Sequence, residues 1–358
     1  MICRRTFVAA AASLAAPMLR AQVLPTAPIR IIVGFPPGGG TDILARVIAP
    51  RLQEMWKNNV LVENKSGAAG VLAAEYVAKQ PPDGTTLLMA HINSHAIAPA
   101  LQPRLSYNAE TDFSPLSLVG VTPNLLICNT DQPARTVKDI LALCRSRPGQ
   151  VTFGSSGPAS AQHLALELFK YRAKVFALHI PYRGSGPLIT DLIGGQVQYS
   201  FETMTAATPH VKSGKVIAVA QTRPQRSKAY PDVPTVAEEG FPGFDATTWY
   251  GLVGPKGMAP ALVARMNEDI NRALAMPDVA ERLNAAGAED SGGSAERFAE
   301  FMRAERDKYS RLVKDAGIKV DSYRAERRAC GACRAFVRCA LGHEPCPLRP
   351  RSDRRSRA

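Results

Sequence analysis

An α/β fold with two lobes is predicted by three features of the sequence. Short runs rich in β-branched and aromatic residues alternate with segments of helical periodicity from residue 27 onward, which is typical of βαβ units and of largely parallel sheets. Two of these runs, ending near residues 33 and 153, lead through glycine-rich loops into helices. The second loop repeats the pattern of the first and indicates a second lobe with its own sheet. The length of 358 residues also favours two domains.

The elements follow from local periodicity in chain order. Strands are expected at 29–33, 60–63, 86–89, 116–121, 125–128, 151–153, 176–180, 197–201, 216–221 and 249–253. Helices are expected at 41–55, 70–78, 137–147, 160–171, 187–193, 206–212, 260–274, 279–286 and 296–315. Thr136 and Asp139 have the spacing of a capping box at the start of their helix. Pro277 separates two late helices, because proline interrupts helical hydrogen bonding.

The loop at residues 34–42 is the most informative segment. An apolar run breaks at Gly34, and three consecutive glycines stand where helical periodicity begins. The free N–H groups and positive dipole at such a helix N-terminus attract anions. A P-loop is excluded because no lysine follows the glycines, and a dinucleotide loop is disfavoured by two prolines. A small carboxylate is the better candidate, and a tight turn without a ligand is the alternative.

The first 21 residues predict a signal peptide. Arg4 and Arg5 precede a short apolar region at 7–19, and Ala21 is a small residue suited to cleavage. The export route is expected to be Sec or twin-arginine, and the location the periplasm. An Ala-rich first helix of a cytoplasmic protein is the alternative. No apolar run after this segment is long enough to span a membrane.

The net charge of +13 does not indicate a nucleic-acid partner, because it is concentrated at the two ends. Three arginines precede residue 22, and residues 322–358 contain ten arginines against three acids. The remaining residues 22–321 therefore carry a net charge of only +3.

The segment 322–358 differs in composition from the rest of the chain. It contains four of the seven cysteines and one nearby histidine, namely Cys330, Cys333, Cys339, Cys346 and His343. A zinc knuckle is one reading of the C-x₂-C pair. The second pair, Cys339 and Cys346, lacks that spacing. The other interpretation is therefore a disordered extension, or a shifted or read-through frame. Cys128 and Cys144 could form a disulfide.

The motifs, in their order and spacing, resemble the periplasmic substrate-binding receptors of tripartite tricarboxylate transporters, often called Bug-type receptors. The resemblance runs from about residue 28 to 321, and the matching segments are Gly34–Asp42, Val62–Gly70, Pro82–Thr85, Phe153–Leu164, Pro181–Gly184 and Pro231–Gly240. It implies a two-lobed type II periplasmic-binding-protein fold (Venus flytrap). Lobe 1 would comprise 22–124 plus 248–321, and lobe 2 would comprise 125–247.

The resemblance also implies a function and a site. The expected function is capture of a small organic acid (a di- or tricarboxylate, an acidic amino acid or an aromatic acid) and its delivery to the membrane subunits of such a transporter. The receptor is expected to be a monomer without cofactor, metal or nucleic acid. The predicted ligand-binding residues are Phe35, Pro36, Gly38, Gly39, Gly40, Thr41, Asp42, His91, Ser94, Ser155, Ser156, Gly157, Ser160, His163, Arg183, Gly184 and Thr203.

Several of these residues have a second interpretation. Asp42 could cap its helix rather than select ligands, and Ser160 with His163 could order the second loop rather than contact a ligand. His91 departs from the family pattern; if it lines the cleft, its charge would change near pH 6.5 and binding would strengthen as pH falls. His91 and His95, four residues apart, could also bind a metal.

The alternative function is a small-molecule hydrolase that uses the loop of Ser155 and Ser156. Against it, the G-x-S-x-G elbow is absent, and no acid or oxyanion hole is evident for Ser160 and His163. The sequence therefore predicts a receptor and no catalytic residues.

Overall fold

The computed structural model describes residues 24–102 and 104–315. The predicted signal peptide and the extension with its candidate zinc ligands lie outside these residues. The strands are β1 (Ile29–Val33), β2 (Val60–Asn64), β3 (Thr86–His91), β4 (Phe113–Thr122), β5 (Asn124–Asn129), β6 (Thr152–Ser155), β7 (Leu178–Pro181), β8 (Tyr199–Thr203), β9 (Val216–Gln221) and β10 (Thr248–Pro255).

The helices complete the alternation. They are α1 (Gly40–Trp56), α2 (Val71–Ala78), α3 (Ala98–Leu101), α4 (Val137–Ser146), α5 (Ala161–Ala173), α6 (Ser185–Ile193), α7 (Met204–Lys212), α8 (Pro260–Leu274), α9 (Pro277–Ala285) and α10 (Ala295–Asp315). A 3₁₀ turn at Ala68–Gly70 and a π-helical turn at Asn93–Ile97 precede α2 and α3. No helix in the described ranges is long and apolar enough to cross a membrane.

Two five-stranded sheets form the framework. The first sheet has the order β2-β1-β3-β10-β4, and the second has the order β7-β6-β8-β5-β9. Strand β1 is parallel to its neighbours β2 and β3, and β6 is likewise parallel to β7 and β8. Equivalent positions in the two orders hold β1 and β6, so the glycine loop and the Gly/Ser loop follow equivalent strands.

The expectation of largely parallel sheets is wrong for half of the strand pairs. β10 is antiparallel to both β3 and β4, and β5 is antiparallel to both β8 and β9. The reason is the crossing of the chain between sheets. β4 ends at Thr122 and β5 begins at Asn124 in the other sheet, while β10 returns from 248 onward. A strand that arrives from the other sheet enters between strands of opposite direction.

Helix α1 shows how the apolar pattern places the first loop. Leu44, Ile48, Leu52 and Trp56 recur every four residues, and all are buried against the first sheet. This spacing puts them on one face of a helix. The indole N–H of Trp56 donates to the buried Asp269 carboxylate of α8 at 3.0 Å. The buried face and this bond at the last residue hold α1 against the first sheet, and its N-terminus follows the carboxyl end of β1.

The expected elements are present, with shifted ends. All ten expected strands occur, and those at 29–33 and 216–221 have the expected bounds. The Thr136 hydroxyl accepts from the Asp139 N–H at 3.1 Å, which confirms the cap. Pro277 is the first residue of α9, where its missing N–H costs nothing. Cys128 and Cys144 are buried and not disulfide-bonded.

Candidate functional site

A cavity lies between residues of the first sheet and residues of the second. Its volume is about 10 Å³, roughly the room that one water molecule needs, and it is partly open to solvent. Its walls are formed by Phe35, Gly39, Gly40, Thr41, His91 and Tyr250 on the side of the first sheet, and by Ser156, Gln162, Ser185 and Thr203 on the side of the second. Seven of these ten residues belong to the site that the sequence predicts.

The first-sheet wall is built on the N-terminus of α1. Gly39 is the N-cap residue and, having no side chain, leaves the first-turn N–H groups uncapped. The first helical hydrogen bond runs from Ile43 N–H to Gly39 C=O at 3.0 Å. The N–H groups of the first turn have no acceptor within the helix. Gly39, Gly40 and Thr41 line the cavity, so these donors and the positive end of the helix dipole lie beside it.

Close packing explains two of the glycines. A Cβ at Gly40 would collide with the Tyr250 hydroxyl and lie 3.1 Å from the Thr203 hydroxyl. Gly184, whose φ is +112°, would place a Cβ 2.8 Å from the Pro36 ring. Any larger residue at 40 or 184 would therefore push apart the segments that enclose the cavity.

Asp42 and Gly38 are hydrogen-bonded to each other and do not line the cavity. The Asp42 carboxylate accepts from Gly38 N–H at 3.0 Å, from Arg46 at 2.9 Å and from the Asn64 amide at 2.9 Å. Burial alone would raise the pKa of Asp42, but these hydrogen bonds lower it below its usual value. Asp42 is therefore ionised and holds the loop in shape.

His91 lines the cavity between two aromatic rings. Its ring centroid is 5.0 Å from that of Phe35 and 5.1 Å from that of Tyr250. Burial, and secondarily the neighbouring His95, lower the pKa of His91 to about 3. The expected titration near pH 6.5 is therefore wrong for this enclosed ring, which is neutral at physiological pH. Its Nδ1 accepts from Asn93 N–H at 3.1 Å, so the proton resides on Nε2.

Tyr250 was missed by the sequence analysis although it lies in an expected strand. Its side chain is fully buried and lines the cavity. Its hydroxyl forms no hydrogen bond of good geometry within the described residues. Burial raises the pKa of this phenol above its usual value, and the nearby Thr203 and Thr205 side chains partly oppose the rise. Tyr250 is thus a neutral phenol on the cavity wall whose hydroxyl has no well-formed hydrogen bond.

The second-sheet wall rests on one buried carboxylate, Glu202. Its Oε1 accepts from the Gln162 amide at 2.9 Å, from the Ser185 hydroxyl at 3.0 Å and from both the N–H and the hydroxyl of Thr203. Ser156 donates to Gln162 Oε1 at 2.8 Å. Burial raises the pKa of Glu202, while these hydrogen bonds partly oppose the rise.

Ser155 and His163, also predicted to bind the ligand, lie behind this wall. Ser155 is fully buried, and its hydroxyl lies 2.6 Å from His179 Nε2 and donates to Gly157 C=O. The Ser160 hydroxyl caps α5 by accepting from His163 N–H, while His163 Nδ1 accepts from Ala159 N–H. Ser155 and His179 resemble a nucleophile and its base, but a fully buried hydroxyl is not available to a substrate.

The remaining predicted residues lie outside the cavity walls. Ser94 donates to His91 C=O, Pro36 packs against Gly184, and Arg183 is exposed. His95 is fully buried beside the ring of Phe113, with centroids 4.7 Å apart. In the described part of the chain, no group of three or more His, Cys, Asp or Glu is arranged to hold a metal.

Gln162 and Ser185 were also missed, although each adjoins a predicted residue. Gln162 precedes His163 and Ser185 follows Gly184. Polar residues in the first turn of a helix after a glycine-containing loop were the available signal. Glu202 offered a weaker one, as the lone acidic residue of an otherwise uncharged strand, β8.

Comparisons with known proteins agree with this arrangement. The model of the "Tripartite tricarboxylate transporter family receptor" family matches residues 44–318. Protein BugT of Bordetella pertussis is 37% identical over 312 residues, which cover 87% of this chain and 95% of BugT.

Two solved structures are similar over almost their whole length. R. palustris Rpa4515 with adipate has a TM-score of 0.80 at 33% identity, and the match covers 82% of this chain and 99% of that one. MatC (Rpa3494) from Rhodopseudomonas palustris with bound malate has a TM-score of 0.76 at 31% identity, covering 81% and 99%. The two-lobed fold is thereby confirmed.

Proposed function

The chain belongs to the tripartite tricarboxylate transporter receptor family, and we propose that it captures a small organic acid in the cavity between its two sheets. Members of this family are periplasmic solute-binding receptors and not enzymes, so the hydrolase alternative is not retained. Rpa4515 and MatC, with adipate and malate, support an organic acid as the ligand.

One observation carries the proposal: several hydrogen-bond donors converge on one cavity. The first-turn N–H groups of Gly40 and Thr41 lie beside it, and the buried Tyr250 hydroxyl, which has no well-formed hydrogen bond, lies on the same wall. His91, which carries its proton on Nε2, lines the same wall. No ionised side chain lines the cavity. A carboxylate would accept from these groups, and hydrogen bonds to a charged acceptor are stronger than those between neutral groups.

Contacts between the two sides of the cavity support the second part of the proposal, a receptor that closes around its ligand. Ala161 N–H at the start of α5 donates to Asn93 Oδ1 at 2.8 Å, and Gly184 packs against Pro36. In both pairs one residue follows a strand of the first sheet and the other a strand of the second. We propose lobes at 22–124 plus 248–321 and at 125–247, with closure driven by the ligand.

We further propose that the receptor is exported to the periplasm and acts as a monomer. It would deliver the acid to the membrane subunits of a tripartite tricarboxylate transporter. Family membership supports it. Deletion of the gene should abolish uptake of the acid that the purified protein binds, and re-expression of the full chain should restore it.

A thermal-shift screen over small organic acids, including malate and adipate, tests binding. A ligand at 100 times its Kd stabilises the folded state by about 2.7 kcal/mol, which raises the melting temperature. The diamides of the same acids are matched controls, because they keep the size and lose the charge. Stabilisation by the diamides, or by none of the acids, would contradict the proposal.

A further inference from the structure

The two walls of the cavity differ in hydrogen-bonding character. All four second-sheet residues that line it are polar, and all four belong to the network of Glu202. The first-sheet wall instead presents main-chain N–H groups, the Tyr250 hydroxyl and the Nε2–H of His91. The cavity therefore has one side lined by hydrogen-bond donors. On the opposite side, the Glu202 network determines whether the hydroxyl groups donate or accept.

Glu202 determines which way the wall hydroxyls point. Its Oε1 can only accept, because any proton on the carboxyl group would reside on Oε2 while Oε1 receives the hydrogen bonds. The hydroxyl hydrogens of Ser185 and Thr203 must therefore point toward Glu202. Both hydroxyls are left with lone pairs and no hydrogen to offer to a ligand.

Gln162 transmits the same constraint to Ser156. Its amide nitrogen donates to Glu202 Oε1 at 2.9 Å, which places its carbonyl oxygen toward Ser156. An amide oxygen can only accept, so the Ser156 hydroxyl uses its single hydrogen on it at 2.8 Å. Ser156, Ser185 and Thr203 consequently face the cavity as acceptors.

From this polarity we propose that the ligand is an organic acid with a hydroxyl or ammonium donor beside its carboxylate, and that an unsubstituted acid is disfavoured. The carboxylate would occupy the donor side at the N-terminus of α1. The added donor would pair with the hydroxyl oxygens of the second-sheet wall. An acid without this added donor would have no hydrogen to offer to the lone pairs of the second-sheet wall. This inference rests on the proposed function and narrows the class of ligand.

The test is a titration-calorimetry series of matched acids. Succinate is compared with malate and aspartate, glutarate with 2-hydroxyglutarate and glutamate, and adipate with 2-hydroxyadipate and 2-aminoadipate. In at least one set, a substituted acid should bind about tenfold tighter than its parent, as expected for one additional hydrogen bond. Equal or tighter binding by the parent in every set would overturn the inference while leaving the proposed function intact. Absence of binding by every acid would overturn both.

Two wall variants and one control tie the preference to the hydroxyls. Ser185→Ala, or Thr203→Val if that variant fails to fold, removes one acceptor. Either should bring the ratio of the two affinities, substituted acid over parent, closer to one. Ser200→Ala is the matched control, since Ser200 is also fully buried on β8 but donates to Gly154 C=O and does not line the cavity. A ratio unchanged by the wall variants, or reduced equally by Ser200→Ala, would contradict the inference.

Discussion

The Tyr250 hydroxyl lies directly over Gly40, so that any Cβ at position 40 would collide with it. Gly40 begins α1, and Tyr250 is on β10, the strand that returns from the second sheet. This contact brings a helix N-terminus and a phenol together at one cavity. It also separates the roles of two adjacent glycines, because Gly39 has no such neighbour.

Gly39→Ala and Gly40→Ala should therefore differ. A Cβ at Gly39 would lie 3.6 Å from Pro36 C=O, an ordinary contact, and the backbone there is extended. Gly39→Ala should leave the melting temperature of the free protein nearly unchanged and weaken acid binding about tenfold, because the methyl group obstructs the approach to the N–H groups. Gly40→Ala should lower both the melting temperature and the affinity for the acid, since overpacking costs about 1–3 kcal/mol. Thermal unfolding and calorimetry measure the difference; wild-type affinity in Gly39→Ala would place the ligand elsewhere.

Tyr250→Phe should weaken binding with little effect on stability. It removes a buried hydroxyl that forms no hydrogen bond of good geometry, so the stability of the free protein should change little. The loss of a donor to a charged ligand should weaken binding about tenfold or more. Tyr199→Phe is the control. The Tyr199 hydroxyl donates to Ala134 C=O in the core of the second sheet, so this variant should lose stability and retain affinity. Unchanged affinity in Tyr250→Phe would contradict the proposed role.

Glu202→Gln should change how stability depends on pH. Because burial raises the pKa of Glu202 above its usual 4.5, the folded state prefers the protonated acid. The stability contributed by this group is fully present below that value and is lost as pH rises through the folded-state pKa. The variant has no such ionisation, so its free energy of unfolding relative to wild type should increase with pH. Urea unfolding at about pH 4 to 8 measures this; parallel profiles of the two proteins would show that Glu202 does not titrate differently on folding.

Asp269→Ala should destabilise the packing of α1 against α8. Asp269 is fully buried and accepts from the Trp56 indole N–H and from Arg265 and Arg272. Its removal leaves the indole N–H unpaired, at a cost of about 1–3 kcal/mol. Asp278→Ala, which breaks an exposed pair with Arg51, should have a much smaller effect. Denaturant titrations compare the two, and equal losses would contradict this account of Asp269.

Removal of residues 322–358 should leave both folding and binding intact. The family match ends at residue 318, and the composition changes abruptly after Asp321. The shortened protein should melt at the temperature of the full chain and bind the same acid with the same affinity. A marked fall in melting temperature would show that the segment belongs to the fold. Zinc added to the full chain provides a further check, because a knuckle would raise the melting temperature of that form alone.

The sequence alone determined the order and type of the elements, apart from the short helix α3 and the turns before α2 and α3. Each of the other strands and helices is marked by a local period, by a breaker such as Pro277 or by a cap such as Thr136, so that information is contained within a few neighbouring residues. The anion-binding character of the loop at Gly38–Gly40 is local in the same way, because glycines, a strand end and a helix start occur together.

Only the tertiary structure decided which residues share the cavity. Tyr250 meets Gly40, and Glu202 collects Gln162, Ser185 and Thr203, through contacts between segments far apart in the chain. The antiparallel entry of β5 and β10 and the lowered pKa of His91 have the same origin. A hydrogen bond, a close approach and the burial of a charge depend on distance in space, and a local pattern contains no information about partners that the fold brings from elsewhere.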